Sequence, residues 1–113
     1  MIDLLEAARE AASGPAWGHE CEDLDLTLLK WFADEGVAEH VNEEVDVVMV
    51  VLSGEGVVTI GGLPEHARSG SAFVIPKGVP RAIRATSKEL IYLNVHKRRR
   101  RLMPLVDGRP PQR

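Results

Sequence analysis

The sequence contains one cysteine, few aromatic residues and no long apolar run. Cys21 is alone among the 113 residues, so no disulfide can form within the chain. Aromatic residues make up 4% of the sequence, and the core must therefore be built mainly from Val, Leu, Ile and Ala. No run of 18 or more apolar residues is present, which argues against a transmembrane helix. The first 15 residues carry Asp3, Glu6, Arg9 and Glu10, unlike a secretory signal peptide. We therefore expect a cytoplasmic protein without membrane contacts.

Charge is distributed unevenly along the chain, although the formal net charge is only −3. Residues 1–56 hold 14 acidic and two basic residues, whereas residues 57–113 hold three acidic and 12 basic residues. Five adjacent cations at residues 97–101 could neutralise nucleic-acid phosphates. However, no aromatic residues accompany them, and the acidic half would repel a polyanion. We favour pairing of this run with acidic residues 34–46, and expect no nucleic-acid partner.

The residue pattern predicts one helix followed by short strands. Residues 2–12 are rich in helix formers and are followed by a Ser-Gly-Pro stop, which places an N-terminal helix within residues 1–14. So short a helix must dock on the rest of the fold or on a neighbour. From residue 25 onward, short β-branched segments alternate with Gly-rich turns, which is typical of a β-sandwich or barrel over residues 15–103. Residues 104–113 are predicted to form a mobile C-terminal tail.

Glycine and proline spacing in the second half of the chain carries a family resemblance. Gly70, Pro76, Gly78 and Arg81 form the pattern G-x5-P-x-G-x2-R. This resembles the second sequence motif of the cupins, G-x5-P-x-G-x2-H-x3-N, with Arg81 in place of the histidine and Ala85 in place of the asparagine. The resemblance implies an all-β fold of the cupin type, a double-stranded β-helix or jelly-roll barrel, here with a short N-terminal helix.

The first cupin motif, G-x5-H-x-H-x3-4-E-x6-G, is matched less fully. His40, Asn42, Val47 and Gly54 follow its later spacings, with Asn42 replacing the second histidine and Val47 replacing the glutamate. The resemblance implies that a cupin metal would sit on three histidines and this glutamate, of which His40 alone remains. Because a guanidinium stays protonated, Arg81 has no lone pair to offer a metal. We therefore expect neither a metal nor another cofactor.

The same register predicts a ligand site in the barrel mouth. It directs His40, Asn42, Val47 and Arg81 inward, and Met49 follows Val47 because alternate residues of a strand share a face. The predicted ligand-binding residues are therefore His40, Asn42, Arg81, Val47 and Met49. A buried Arg81 needs a partner. That partner is either an anionic ligand or an internal carboxylate, the nearest in sequence being Asp46, Glu43 and Glu44.

The last strand offers two alternative faces to the interior. Either Tyr92, Asn94 and His96 face inward, or Ile91, Leu93 and Val95 do. The apolar set is the expected one, and His96 is then no ligand.

Three functions remain open from the sequence. The first is a metal-independent cupin that binds a small polar or anionic molecule. The second is an enzyme acting on a small carboxylate, either an isomerase or lyase that uses His40 and Arg81, or a weakly metallated oxygenase. The third is an interaction module without a ligand. Apart from Asp46, residues 45–52 are apolar on both strand faces. This also predicts a homodimer formed through a sheet surface, unless the N-terminal helix covers the second face instead.

Overall fold

The computed structural model describes residues 1–99, which form one short helix and seven strands. In chain order these are α1 (Leu4–Arg9), β1 (Gly14–Glu20), β2 (Leu24–Phe32), β3 (Gly36–His40), β4 (Val47–Ile60), β5 (Leu63–Arg68), β6 (Ala72–Ile75) and β7 (Arg81–Lys97). The predicted all-β architecture with a short N-terminal helix is confirmed. The predicted tail at 104–113 lies outside the described residues. Within residues 1–99, no helix has the length and apolar character needed to span a membrane.

Two long strands, β4 and β7, run through the whole fold and pair with each other. The first half of β4 pairs with the second half of β7 in one wall, and the second half of β4 pairs with the first half of β7 in another. The strands bend between the two walls, where the β4–β7 register shifts between Val51 and Ser53 and again between Gly54 and Gly56. The large wall has the order β1-β2-β7-β4-β6, and the small wall has the order β3-β7-β4-β5. Gly54 permits the bend: its φ is 85°, and a Cβ there would lie 1.8 Å from the Glu89 carbonyl oxygen.

The core lies between the two walls. Strand alternation places Met49 in it, as the sequence predicts, together with Val51 and Ile83. Tyr92 is fully buried in the same cluster, and its hydroxyl accepts a hydrogen bond of 2.9 Å from Trp31 Nε1. Burial raises the pKa of Tyr92 to about 12, although the Trp31 hydrogen bond acts in the opposite direction.

Helix α1 docks on the outer face of the large wall, which is the first of the two predicted arrangements. The helix is shorter than its predicted span, and residue 14 already belongs to β1. Ala8 packs with Leu28 and Ile91 in a second apolar cluster. Lys30, 3% exposed, donates from Nζ to the carbonyls of Ala8 (2.9 Å) and Arg9 (3.2 Å), and forms a 3.0 Å ion pair with Glu89 Oε2. An ammonium at the C-terminal end of a helix also complements the helix dipole.

Candidate functional site

Two loops meet at the predicted barrel mouth, one formed by residues 41–46 and the other by residues 76–80. We call them the mouth loops. Gly78 N donates to the Asn42 carbonyl at 2.8 Å, and Lys77 N donates to Asp46 Oδ1 at 2.9 Å. The carbonyl of Pro80 accepts from Gly61 N at 2.9 Å. The mouth loops are therefore held to each other and to the β4–β5 turn mainly through backbone groups.

Arg81 begins β7 directly after the second mouth loop and is cross-strand partner to Ile60 and His40. Arg81 is 4% exposed, and its side chain lies on the same inner face of β7 as Ile83. Nε donates to the Val79 carbonyl at 2.9 Å, and Nη2 donates to the Pro76 carbonyl at 2.8 Å. Burial lowers the pKa of the guanidinium.

Arg81 forms no ion pair with a carboxylate within residues 1–99. Of the three carboxylates proposed from the sequence, Asp46 accepts from the Lys77 amide, and Glu44 lies 3.6 Å from Arg99 Nε. Glu43 is exposed and also forms no ion pair with Arg81. The internal pairing expected as one alternative is therefore not formed among these residues, and backbone carbonyls take its place.

His40 and Asn42 lie near Arg81 in the fold, but their side chains form hydrogen bonds with backbone groups two or three residues away in the sequence. His40 is exposed, and its Nδ1 donates to the Ala38 carbonyl at 3.0 Å. Asn42 Oδ1 accepts from the backbone N–H groups of Glu44 (2.9 Å) and Val45 (3.3 Å). Such a bond two to three residues along the chain shapes a turn. The amide of Asn42 therefore stabilises its own loop.

Val47 and Met49 point inward, as the alternation predicts, but they lie in a packed interior. Val47 is buried and Met49 is fully buried in the core cluster with Tyr92. Val47 is cross-strand partner to Ile75 on one side and His96 on the other. Of the five predicted site residues, the structure thus places Arg81, Val47 and Met49 inside and leaves His40 at the surface.

The prediction that Ile91, Leu93 and Val95 of the last strand face inward is wrong. Val47, an inner residue, is the cross-strand partner of His96, and fully buried Tyr92 lies on the same face. The His96 side chain is largely buried, its Nδ1 donates to the Lys97 carbonyl at 2.8 Å, and its Nε2 lies 3.9 Å from Asp25 Oδ2. Apolar character does not identify the inward face of β7, because the outer face is apolar as well: Ile91 packs there under α1.

Asp25 and His96 form a buried acid–imidazole pair that the sequence analysis missed. Asp25 is the cross-strand partner of His96 across the β2–β7 register, so both side chains lie on the inner face. The available signal was a carboxylate that shares one strand face with Leu29 and Trp31. Asn94, two residues before His96, joins the same face.

The basic run forms ion pairs with acidic residues of the first half. Arg98 Nη2 lies 3.0 Å from Glu20 Oε1, and Arg99 Nε lies 3.6 Å from Glu44 Oε2. Glu44 belongs to the acidic segment predicted as the partner, whereas Glu20 does not. Arg100 and Arg101 are outside the described residues.

Two open clefts lie away from the predicted mouth site. One of about 510 Å³ is bordered by β3, β4 and β7 and includes Asp34, Thr59 and Arg84. Another of about 250 Å³ lies along β1 and β2 and includes Gly18, Asp25 and Thr27. Neither is lined by any of the five predicted ligand-binding residues.

The sequence profile of the cupin domain matches residues 33–96, which is more than half of the chain. The chain belongs to the cupin domain family. The match includes both mouth loops and most of the two walls, so this cupin keeps the part of the fold in which the resemblance was found. No curated protein matches the sequence.

Several solved structures share this fold. A protein from Thermus thermophilus is 27% identical, with a TM-score of 0.76 over 88% of this chain and 98% of that one. A conserved protein with a double-stranded β-helix domain from Klebsiella pneumoniae is 19% identical, with a TM-score of 0.73 over 86% and 88% of the two chains. KdgF from Halomonas sp. is 22% identical, with a TM-score of 0.68 over 73% and 74%. At these identities the last two comparisons show the fold alone.

Proposed function

We propose that this cupin is a metal-independent binding protein for a small anionic molecule, with Arg81 as the group that contacts the anion. The observation that carries the proposal is the buried, inward-facing guanidinium of Arg81, which forms no ion pair with a carboxylate in residues 1–99. A small carboxylate or phosphate suits the planar fork of such a group.

The charge balance at Arg81 supports this reading. A guanidinium carries five N–H donors, and the two described hydrogen bonds go to neutral carbonyls. Taking an unpaired charge out of water costs several kcal/mol, which carbonyl dipoles offset only in part. An anionic ligand would supply the missing opposite charge.

The residues at the family's metal positions do not fit a metal. They provide one exposed imidazole at His40, an amide that already accepts two backbone bonds at Asn42, an aliphatic side chain at Val47 and a cation at Arg81. Divalent ions need several lone-pair donors that converge on one point. Within residues 1–99, no three His, Cys, Asp or Glu side chains are grouped for such a role.

The enzyme alternative has one observation in its favour, and it concerns a different histidine from the one predicted. His40 is exposed and bonded to its own strand, whereas His96 lies inside beside Asp25. If this cupin catalyses proton transfer, His96 is the better candidate for the general base.

Anion binding is tested by calorimetry of the full-length protein with acetate, propanoate, succinate and inorganic phosphate. We expect at least one of them to bind, and Arg81→Met to weaken its binding at least tenfold. Arg84→Met is the matched control, because Arg84 is an exposed arginine on the opposite face of the same strand. Absence of binding by all four anions at 10 mM, or equal losses in the two variants, would contradict the proposal.

A further inference from the structure

The inner face of the large wall carries polar side chains where β2 begins and β7 ends. Asp25 and His96 are cross-strand partners, and Thr27 and Asn94 are partners one row further along the same two strands. Because alternate residues of a strand share a face, all four side chains lie on the inner face. We call these four residues the inner polar row.

An open cleft of about 250 Å³ gives access to this row from β1. It is lined by Asp25 and Thr27 and by Gly18, which is the β1 partner of Thr27. Gly18 has no side chain to cover its neighbour. A Cβ built there would lie 3.4 Å from the Leu26 carbonyl oxygen and within 4 Å of no other atom beyond the adjacent residues. The backbone therefore does not require a glycine at this position, and its effect is to leave the cleft open.

His96 presents a nitrogen lone pair to Asp25. Its Nδ1 carries the proton, because the Lys97 carbonyl at 2.8 Å can only accept a hydrogen bond. The neutral ring then has an unprotonated Nε2, which lies 3.9 Å from Asp25 Oδ2. Two acceptors do not bond to each other, but a donor about 2.8 Å from each would bridge them. The two side chains are only 12% and 5% exposed, so such a bridge would be shielded from water.

Asn94 adds a third acceptor to the row. Its Oδ1 is buried and accepts no hydrogen bond within residues 1–99. A buried polar atom without a partner destabilises a fold, and native proteins satisfy most such atoms. A donor on a ligand would satisfy this oxygen.

The three acceptors match the chemistry of a primary ammonium group. An ammonium carries three N–H donors and no acceptor, whereas a hydroxyl group has a single donor. A carboxylate oxygen accepts more than one hydrogen bond, so Asp25 Oδ2 can receive a ligand donor in addition to its other contacts. The Asp25 charge also favours a cation and repels the anion that we propose for Arg81.

We propose that the inner polar row binds the ammonium group of a small primary amine, which reaches it through the cleft over Gly18. Asp25 supplies the opposite charge, and His96 Nε2 and Asn94 Oδ1 accept the remaining N–H groups. This site is separate from the anion site at Arg81. Its β1 and β2 residues also precede residues 33–96, the part of the chain that the cupin profile matches.

An NMR titration of the full-length protein with butylamine up to about 10 mM tests the site. We expect saturable shifts of the His96 ring and Asn94 side-chain signals. Butanol, which has one donor, and butyltrimethylammonium, a cation without N–H groups, should bind about tenfold more weakly or less. Arg81→Met should bind butylamine as the wild type does, so the result does not depend on the proposed anion site.

Two variants separate recognition from a structural role. Asn94→Leu removes the amide at nearly constant volume and should weaken butylamine binding about tenfold. Its melting temperature should be unchanged or higher, because the buried acceptor without a donor is gone, whereas a structural amide would give a lower one. Gly18→Val should abolish butylamine binding by filling the cleft, with the inner polar row intact.

The imidazole is tested against a matched pair at the surface. His66 also lies beside a carboxylate, with its Nε2 3.0 Å from Glu55 Oε1, but its side chain is 60% exposed. His96→Phe should weaken butylamine binding about tenfold, and His66→Phe should leave it unchanged.

Three results would overturn the proposal. The first is the absence of saturable shifts with butylamine. The second is equal binding of butylamine and either butanol or butyltrimethylammonium, which would mean that the butyl chain alone is recognised. The third is unchanged binding in Gly18→Val, which decides the matter even if Asn94→Leu does not fold.

Discussion

Two buried cations, Lys30 on the outside of the large wall and Arg81 at the mouth, are treated differently by the fold. Lys30 is 3% exposed and Arg81 is 4% exposed, and each donates to two backbone carbonyls. Lys30 also has a carboxylate partner, Glu89, at 3.0 Å. Arg81 has no such partner within residues 1–99.

Under the proposed function, the difference separates a structural charge at Lys30 from a charge at Arg81 that would meet an anionic ligand. The charge of Lys30 is balanced by Glu89 and by the C-terminal carbonyls of α1, so the ammonium completes a contact within the chain. The charge of Arg81 is met by dipoles only. A buried cation with an ion partner contributes to stability mainly because its removal strands that partner, whereas a cation without one can act on an anion from outside.

The largest expected effect is the loss of Lys30. Lys30→Met should lower the free energy of unfolding by about 2–4 kcal/mol, because the Glu89 carboxylate and two helix carbonyls lose their donor. Trypsin should also cleave faster after Arg9 once α1 is released. Urea unfolding measures the first effect, and Lys88→Met is the exposed control. A loss no greater than that of the control would show that the Lys30 contact is not what holds the helix.

A smaller stability effect is expected at Arg81. Arg81→Met should cost about 1–2 kcal/mol, because two hydrogen bonds are lost but no carboxylate is left unpaired and a desolvated charge is removed. The comparison with Lys30→Met in the same urea series is the measurement. If Arg81→Met proved the more damaging of the two, the guanidinium would have a structural partner, and the two cations would not differ in role.

Sequence patterns predict the framework of this cupin better than its site. The spacing of Gly70, Pro76 and Gly78 predicts the fold because it reflects backbone conformation. Gly78, for example, has a φ of 83°, a conformation that favours glycine. Alternation likewise predicts Met49 inside. These features depend on local geometry, which a short segment of sequence encodes.

Features that depend on distant contacts were not predictable in this way. The sequence pattern predicts the wrong inward face of β7, because α1, some 80 residues earlier in the chain, covers the outer face, which is apolar too. The pairing of Lys30 with Glu89 and of Asp25 with His96 requires the folded register between β2 and β7, and the carbonyl partners of Lys30 require the docking of α1. The carbonyl partners of Arg81 depend on the path of the second mouth loop, which spacing alone does not give.

A third buried polar group, the neutral Tyr92 hydroxyl, gives the smallest expected effect. Tyr92→Phe removes the hydrogen bond from Trp31 Nε1 and should cost about 1 kcal/mol at pH 7. Burial raises the pKa of Tyr92 to about 12 from its ordinary value of 10.0. A raised folded-state pKa means that the stability contributed by the protonated hydroxyl is complete below pH 10 and is lost as the pH rises towards 12. Unfolding curves between pH 9 and 12 should therefore fall less steeply for Tyr92→Phe than for the wild type. Parallel curves would show that the pKa of Tyr92 is not raised in the folded protein, which would contradict the burial of its hydroxyl.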